Sequence, residues 1–295
     1  MADSLETNAV NRLVYGCMRI AGDGSPAATA RGFSALDAAY ELGIRRYDLA
    51  DIYGAGHAER LFGQWLRQHP SRRDRIVVTT KCGVRLATDA SPQHYDLSPQ
   101  HITASLEGSL SRLGLDRVDF LLLHRPDYLA EPSAINRCFE ALAVAERFAS
   151  IGLSNFNAAR TRLLHAELSM PIACNQIEFS LANPNAMSNG TLDTCRELGI
   201  AIEAWSPLGG AIQAANDPPA FESLRQALSS LADDYGVSSP DLALAWVLRH
   251  PARIAPVIGT LTPTRIETAV AATHLTLERA DWYRLLEARR GRPVP

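Results

Sequence analysis

Short apolar runs alternate along the chain with longer segments in which apolar residues recur every three or four positions. The short runs suit buried strands, and the clearest of them, residues 118–124, is apolar at nearly every position. The longer segments suit helices that pack through one face. In the segment that follows Ser98, the apolar stripe consists of Ile102, Leu106, Leu110 and Leu113. The pattern therefore predicts a repeating series of strand and helix units.

Boundary signals divide the chain at the same places. Serine followed by proline begins helices at Ser25 and Ser98, and glycine ends the same two helices at Gly43 and Gly114. Similar signals elsewhere predict eight strand-then-helix units and two extra helices, with no linker-like break between them. The predicted strands cover residues 13–20, 44–48, 76–81, 118–124, 148–153, 172–178, 200–205 and 254–258.

Eight such units predict an α/β fold, a (β/α)8 TIM barrel with two extra helices, because strand-helix alternation gives a parallel sheet that eight strands close. A doubly wound open sheet is the alternative. Against it, no strand is followed by a Gly-x-Gly-x-x-Gly pattern, since Gly54-Ala55-Gly56 lacks the third glycine. In a barrel, the carboxyl ends of all the strands converge on one mouth, so the residues there are the candidates for chemistry.

Three consecutive predicted strands end on, or lead directly to, four residues whose side chains could act together in proton transfer. They are Asp48, Tyr53, Lys81 and His124. A phenol, with an ordinary pKa of about 10, is a poor proton donor at neutral pH unless a nearby cation stabilises the phenolate. Lys81 supplies that cation, Asp48 holds the ammonium in place, and His124 can donate a hydrogen bond to a carbonyl oxygen. The group predicts a general-acid site that protonates a developing alkoxide.

Carbonyl reduction at such a site needs a hydride source, and a nicotinamide dinucleotide suits the remaining residues at the mouth. The candidates for hydrogen bonds to its carboxamide are Ser154, Asn155 and Gln176, and Trp205 offers a flat face for ring stacking. Backbone N–H groups of Ser206-Pro207-Leu208-Gly209-Gly210 are candidates for the pyrophosphate. The candidates for a further phosphate are Thr260, Thr262 and Arg265, and Gly259, at the same strand end, is a further candidate for cofactor binding.

These cofactor candidates also have ordinary structural explanations. Asn155 suits a cap for the helix that begins near residue 157, and Gln176 suits a rim position. Trp205 suits core packing, and Arg265 suits a solvated position on an exposed helix face. Thr262 followed by proline makes a good helix start whatever binds there. The pattern of residues leaves both explanations open.

Composition narrows the classes of partner. The 295 residues are 46% hydrophobic and carry a net charge of -3, and the basic residues are scattered, which argues against nucleic acid. The five cysteines form no CxxC pair and no metal-ligand spacing, so we expect reduced thiols and no metal site. No apolar run suits a membrane span and the N-terminus lacks a secretory pattern. We expect a cytoplasmic protein with a small-molecule carbonyl substrate, no membrane partner and no obligate protein partner.

Six segments, in order, resemble motifs of the aldo-keto reductases of the bacterial short-loop type. They are Asp48–Gly54, Thr80–Gly83, Leu122–Asp127, Gly152–Phe156, Asn175–Glu178 and Trp205–Gly210. The resemblance implies one barrel domain over residues 1–295 and NADPH-dependent reduction of aldehydes or ketones, with NADH as the alternative cofactor. It implies a catalytic tetrad of Asp48, Tyr53, Lys81 and His124. It also implies nicotinamide contacts from Ser154, Asn155, Gln176 and Trp205, and an adenosine 2′-phosphate contact from Arg265.

The chain departs from the family pattern at the phosphate end. Many family members have a lysine where this chain has Gly259, which removes one phosphate contact and weakens the expected preference for NADPH over NADH. Ala269 replaces an asparagine that often contacts adenine. The substrate pocket is predicted from Met18, Arg19, Tyr53, Arg125, Tyr128 and the loop after Trp205, and it suits a small polar carbonyl compound.

Two other functions compete with carbonyl reduction. A barrel lyase would use Lys81 as a Schiff-base nucleophile. A non-catalytic NADP(H)-binding module would keep the barrel and the nucleotide pocket and report redox state to a partner protein. The complete tetrad and the lack of an obvious docking extension favour the reductase.

Overall fold

The strands of the computed structural model, which describes residues 9–209 and 221–295, form a closed parallel barrel and one small hairpin. The barrel strands are β1 (Val14–Gly16), β2 (Arg46–Asp48), β3 (Val77–Cys82), β6 (Val118–Leu123), β7 (Phe148–Ser154), β8 (Ile172–Glu178), β9 (Ala201–Trp205) and β10 (Ala255–Ile258). The hairpin strands are β4 (Val84–Arg85) and β5 (His94–Tyr95). Around the barrel the order is β1-β10-β9-β8-β7-β6-β3-β2. The predicted barrel is confirmed, and the open-sheet alternative is wrong.

Ten α-helices lie in the described residues, and they connect the strands as predicted. They are α1 (Pro26–Glu41), α2 (His57–Gln68), α3 (Pro99–Leu113), α4 (Pro132–Val144), α5 (Ala158–Glu167), α6 (Thr191–Glu197), α7 (Glu222–Tyr235), α8 (Ser239–Leu248), α9 (Pro263–Ala272) and α10 (Arg279–Arg290). The two extra helices arise because both α7 and α8 lie between β9 and β10, and because α10 follows α9. None of the described helices combines the length and apolar character that crossing a bilayer requires.

Helix starts follow the serine-proline signals. The hydroxyl oxygens of Ser25 and Ser98 accept hydrogen bonds from the first turns of α1 and α3, at 3.1 and 3.3 Å. Gly114 ends α3 in the left-handed conformation, with φ of 69°. The cap of α8 is Ser238, and the helix places Pro240 at its second position. The local signals therefore locate the helices to within about a residue.

The predicted strand over residues 13–20 is wrong beyond Gly16. A Cβ at Gly16 would lie 2.9 Å from the Val257 side chain, so the glycine allows β10 to approach closely. The chain then leaves the sheet as a short 3-10 helix, Cys17–Ala21, whose Cys17 and Ile20 stay fully buried. The apolar run correctly indicated burial, but burial continues here under helices instead of within the sheet. The β4-β5 hairpin was also not predicted.

The last helix is attached through two stacked indoles. The rings of Trp246 on α8 and Trp282 on α10 lie 4.7 Å apart and are nearly parallel. Each ring N–H donates to the backbone carbonyl of the other tryptophan, at 3.1 and 3.0 Å. Because both polar N–H groups are satisfied, the pair packs as apolar surface and fixes α10 on the outside of the barrel.

The barrel interior departs from the usual filling of branched apolar side chains. Its charged and amide side chains among the described residues include Arg46 and Asp48 on β2, Lys81 on β3, Gln176 on β8 and Glu203 on β9. All of them except Arg46 are almost completely buried. Buried charges need partners, and the partners of these residues form the candidate site.

Candidate active site

Lys81 lies at the centre of a hydrogen-bonded cluster at the carboxyl ends of β2 and β3. Its ammonium nitrogen lies 2.7 Å from the Asp48 carboxylate, 2.9 Å from the Leu49 carbonyl oxygen and 3.0 Å from the Tyr53 hydroxyl oxygen. Lys81 is 0% exposed. An ammonium has three hydrogens, so these three acceptors satisfy it completely. The structure thus brings together three of the four predicted catalytic residues.

The turn after β2 places Tyr53 over Lys81. Backbone N–H groups of Leu49 and Asp51 donate to the carbonyl oxygens of Thr79 and Lys81 of β3, which continues the ladder to the third residue past β2. The chain then turns back, and Gly54 has φ of 55°, where a Cβ would lie 2.7 Å from Ala21. Only glycine fits that turn without strain. The phenol five residues after Asp48 therefore reaches the same ammonium.

Burial and charge act in opposite directions on Lys81 and Tyr53. Burial disfavours the ammonium, but the Asp48 carboxylate and the Tyr53 hydroxyl raise the pKa of Lys81 above its ordinary value. Burial raises the pKa of Tyr53 more than the Lys81 ammonium lowers it. At neutral pH, Lys81 is therefore charged and Tyr53 keeps its proton. The predicted effect of Lys81 is present, but in the free protein burial outweighs it.

His124 packs beside the phenol as a neutral imidazole. Its ring meets the Tyr53 ring edge to face, with centroids 5.9 Å apart. Burial, together with the positive charges of Lys81 and Arg125, lowers the pKa of His124 to about 2. Its Nδ1 is buried and has no hydrogen-bond partner among the described residues. Because the ring is neutral, it carries one donor N–H and one acceptor nitrogen beside the phenol.

Asn155 joins the strands on the other side of the mouth. Its Nδ2 donates to the His124 carbonyl oxygen at 3.2 Å and to Ser154 Oγ at 2.9 Å. Its Oδ1 accepts from Trp205 Nε1 at 2.8 Å. The following helix is capped by Asn157 instead, so the capping explanation for Asn155 is wrong. The residue holds the Trp205 indole and the end of β7 in a fixed relation to His124.

Ser154 and Gln176 lie opposite each other on β7 and β8. The Gln176 amide donates one hydrogen to Asp48 Oδ1 and the other to Glu203 Oε2, each at 2.9 Å. Gln176 is only 2% exposed, so the rim explanation is wrong. With both hydrogens used, Gln176 offers only its carbonyl oxygen, and Ser154 still has its hydroxyl hydrogen. One acceptor and one donor on adjacent strands complement a primary carboxamide.

The start of α9 leaves groups that suit an anion. Thr262 and Pro263 begin the helix as predicted, but the Thr262 side chain does not cap it. The Arg265 side chain is exposed and has no hydrogen bond or ion pair within the part of the chain that the structure describes. Thr260 Oγ1 accepts from the Thr262 N–H at 3.2 Å and so shapes the entrance to the helix. A helix N-terminus beside a free guanidinium is a favourable place for a phosphate.

Arg19 lies beside Gly259, at the residue that follows β10. Its Nη1 donates to the Gly259 carbonyl oxygen at 3.1 Å. A Cβ at Gly259 would lie 3.2 Å from the same nitrogen. The guanidinium therefore brings a positive charge next to the position where the chain lacks the lysine of the family pattern.

The loop after β9 offers fewer backbone donors than the sequence suggests. Pro207 has no N–H, and the Gly209 N–H donates to the Ser206 carbonyl oxygen at 2.8 Å within a turn. Leu208 is partly buried against the core. Gly210 lies outside the described residues. Much of the predicted pyrophosphate cradle is thus occupied by the turn itself.

The other predicted pocket residues lie on the rim. Met18 is 52% exposed and Tyr128 is 75% exposed, with the Arg160 guanidinium 4.3 Å from the centre of the tyrosine ring. Arg125 is half-buried, and its guanidinium lies 5.8 Å from the centre of the Trp205 ring. This side of the mouth combines aromatic faces with positive charge.

Glu203 and Arg46 are interior residues that the sequence analysis missed. The Glu203 carboxylate forms an ion pair with Arg46 and accepts from the Gln176 amide. A charged residue in the middle of the otherwise apolar strand β9 was the available signal. Arg46, two positions before Asp48, lies on the same face of β2, which was the second signal.

The family model for the Aldo/keto reductase family matches residues 12–290. The chain belongs to the aldo/keto reductase family. A 6-dehydroglucose reductase of Agrobacterium fabrum is 37% identical over 298 residues, covering 100% of this chain and 98% of that protein. An NADH-specific methylglyoxal reductase of Escherichia coli is 30% identical, covering 82% of each chain.

The solved structures of the family share the barrel. An aldo/keto reductase from Klebsiella pneumoniae, in complex with NADP and acetate, has a TM-score of 0.78 and 23% identity, covering 96% of this chain and 92% of that one. This aldo-keto reductase is accordingly an NAD(P)H-dependent oxidoreductase with the fold that its sequence predicts. Its cytoplasmic location and its single domain over residues 1–295 stay predictions.

A partly buried carboxyl in the turn between Asp48 and Tyr53 gives this aldo-keto reductase a testable pH dependence of stability. Burial raises the pKa of Asp51 to about 6, and its Oδ1 has no hydrogen-bond partner among the described residues. The folded protein therefore binds the proton more tightly than the unfolded chain, whose aspartate pKa is about 3.9, and the Asp51 contribution to stability falls as pH rises from about 4 to about 6.

We predict that Asp51→Asn raises the free energy of unfolding by about 1 to 3 kcal/mol at pH 7.5 and has little effect below pH 4, because only the ionised form is penalised. Urea denaturation at several pH values measures this difference. Asp116→Asn, at an exposed aspartate, is the control and should change stability equally at both pH values. A pH-independent effect of Asp51→Asn would contradict the assignment.

Proposed function

We propose that this aldo-keto reductase reduces an aldehyde or ketone with NADPH and uses Tyr53 as the general acid. The observation that carries the proposal is the hydrogen bond of 3.0 Å from the Lys81 ammonium to the Tyr53 hydroxyl, with Asp48 holding the same ammonium at 2.7 Å. A phenol in contact with a buried cation can lose its proton to a strong developing base without leaving an isolated buried phenolate.

The residues of the cluster divide the proton chemistry between them. Bound NADPH supplies a hydride to the carbonyl carbon. Tyr53 gives its phenolic proton to the carbonyl oxygen as negative charge develops there, and Lys81 stabilises the phenolate that remains. Asp48 keeps Lys81 charged. His124, neutral because of burial and two nearby cations, donates an N–H to the same carbonyl oxygen and orients it.

The cofactor contacts follow from the groups that remain unused. The hydroxyl hydrogen of Ser154 and the carbonyl oxygen of Gln176 bind the two ends of the nicotinamide carboxamide. Asn155 fixes Trp205 through the hydrogen bond to its indole, so that the ring is in place to stack. At the other end of the dinucleotide, Arg265 and the uncapped start of α9 bind the adenosine 2′-phosphate, with Arg19 near Gly259 as a second cation.

The substrate that this mouth suits is a small polar carbonyl compound. Arg125 and Tyr128 give the rim hydrogen-bond donors and aromatic surface. The relative from Agrobacterium fabrum is named a 6-dehydroglucose reductase, which supports an aldehyde with several hydroxyl groups. NADPH oxidation against a panel of hydroxylated and apolar aldehydes is the assay in which the variants below are compared.

The environment of Lys81 disfavours the two alternative functions. A Schiff-base lysine must present a neutral, accessible amine, whereas Lys81 is 0% exposed, carries three hydrogen bonds and has a raised pKa. A redox-reporting module would not need a phenol hydrogen-bonded to that ammonium. The assembled tetrad therefore supports catalysis.

We predict that Tyr53→Phe lowers kcat for carbonyl reduction by about 100-fold or more, because the general acid is lost while the ring is kept. The dissociation constant for NADPH should stay within about twofold, since the hydroxyl that is removed makes no proposed hydrogen bond to the cofactor. Steady-state kinetics and fluorescence titration measure the two quantities. Tyr235→Phe is the matched control, because it also removes a phenolic hydroxyl but breaks a hydrogen bond to Asp281 instead of one in the tetrad. It should keep normal turnover. Near-normal turnover of Tyr53→Phe would remove this residue from the chemistry.

For cofactor choice, we predict that Arg265→Ala raises the KM for NADPH by about tenfold and the KM for NADH by no more than about twofold, because only NADPH carries the 2′-phosphate. Initial rates with both cofactors provide the comparison. Arg279→Ala removes another exposed arginine from a first helical turn and should leave both constants unchanged. Equal increases with the two cofactors would show that Arg265 is only a surface charge.

A further inference from the structure

A chain of six polar side chains runs through the barrel from its amino-terminal end to the mouth. In order, it consists of Arg46, Glu203, Gln176, Asp48, Lys81 and Tyr53. The proposed chemistry uses the last three and the carbonyl oxygen of Gln176. Arg46 and Glu203 touch neither the proposed carbonyl site nor the cofactor contacts, so their place in a buried chain needs an explanation of its own.

Glu203 is held between a cation and an amide. It is 2% exposed, and it lies beside Gln176 in the register of β8 and β9. One carboxylate oxygen forms the ion pair with Arg46, and the other accepts from Gln176 Nε2 at 2.9 Å. Arg46 is 22% exposed at the first residue of β2. Arg46 therefore compensates the buried negative charge at the amino-terminal end of the barrel, and the other carboxylate oxygen faces the Gln176 amide.

The two carboxylates on either side of Gln176 fix which way its amide points. Asp48 and Glu203 each accept one hydrogen from Nε2, at 2.9 Å. A flipped amide would place its carbonyl oxygen against two carboxylate oxygens and would lose both hydrogen bonds. Glu203 therefore adds a second hydrogen bond that favours the orientation in which the amide nitrogen lies inside the barrel. The carbonyl oxygen is left as the one free group of the side chain.

We propose that Glu203 is a positioning residue for cofactor binding: by accepting one hydrogen of the Gln176 amide, it presents the carbonyl oxygen of Gln176 to the N–H2 of the nicotinamide carboxamide. This inference rests on the proposed contact between Gln176 and that carboxamide. Arg46 acts one step further away, because it neutralises Glu203 and leaves the second carboxylate oxygen to the amide.

The effect of Glu203 is measurable as a difference between two cofactors. We predict that Glu203→Gln raises the dissociation constant of NADPH about tenfold, because the single oxygen of the new side chain stays with Arg46 and its N–H2 faces the Gln176 amide. The 3-acetylpyridine analogue of NADPH has the carbonyl group but no amide N–H2. Its dissociation constant should change by no more than about twofold. Quenching of tryptophan fluorescence measures both constants without turnover.

Matched variants separate this role from a loss of stability. Glu59→Gln also removes a fully buried carboxylate that pairs with an arginine, Arg112 at 2.6 Å, and it should leave both constants unchanged. If Glu203→Gln does not fold, Arg46→Met combined with Glu203→Met removes the same acceptor without leaving a buried charge, and we expect the same difference between cofactors.

Two results would overturn the inference in distinguishable ways. Suppose that Gln176→Met weakens the binding of NADPH more than the binding of the analogue, but Glu203→Gln changes both dissociation constants equally or changes neither. Glu203 then does not position the amide. If Gln176→Met itself shows no difference between the cofactors, the carboxamide contact of the proposed function fails, and the inference fails with it.

Discussion

The site depends on one buried ammonium whose three hydrogens each have an acceptor. Lys81 is 0% exposed and donates to Asp48, to the Leu49 carbonyl and to Tyr53. A buried charge is tolerated only with full compensation, so the barrel must keep β2 and β3 in the register that brings these acceptors to 3.0 Å or less. The same register places the phenol on the cation. Fold stability and proton chemistry thus rest on a single set of contacts.

The rest of the interior balances that charge. Lys81 is paired with Asp48 and Arg46 with Glu203, and the Gln176 amide lies between the two carboxylates and donates to both. Removing one member leaves a buried charge or an unpaired donor, which costs more than the pair contributes. An interior of this kind gives the mouth a fixed orientation of its polar groups, which an apolar filling would not provide.

The sequence was sufficient for the barrel and for the meeting of Asp48, Tyr53 and Lys81. Parallel strands deliver their carboxyl ends to one mouth, so residues at strand ends converge whatever the details of packing. The direction of the Gln176 amide was not predictable, because it depends on Asp48, 128 positions away in the chain. Periodicity also cannot distinguish a strand from a buried 3-10 helix, which is why the strand prediction for residues 17–20 is wrong. Asn155 was ambiguous because asparagine serves as a cap and as a bridge, and the choice between them depends on the cap at Asn157 and the hydrogen bond to Trp205.

The most direct test of the account is the rate of hydride transfer in a single turnover of Lys81→Met with NADPH already bound. Without the ammonium, the buried phenolate has no stabilising partner, and the account predicts a rate lower by about 100-fold or more with the NADPH dissociation constant within about threefold of the unsubstituted enzyme. A rate close to that of the unsubstituted enzyme would contradict the claim that the Lys81 ammonium enables Tyr53 to donate its proton.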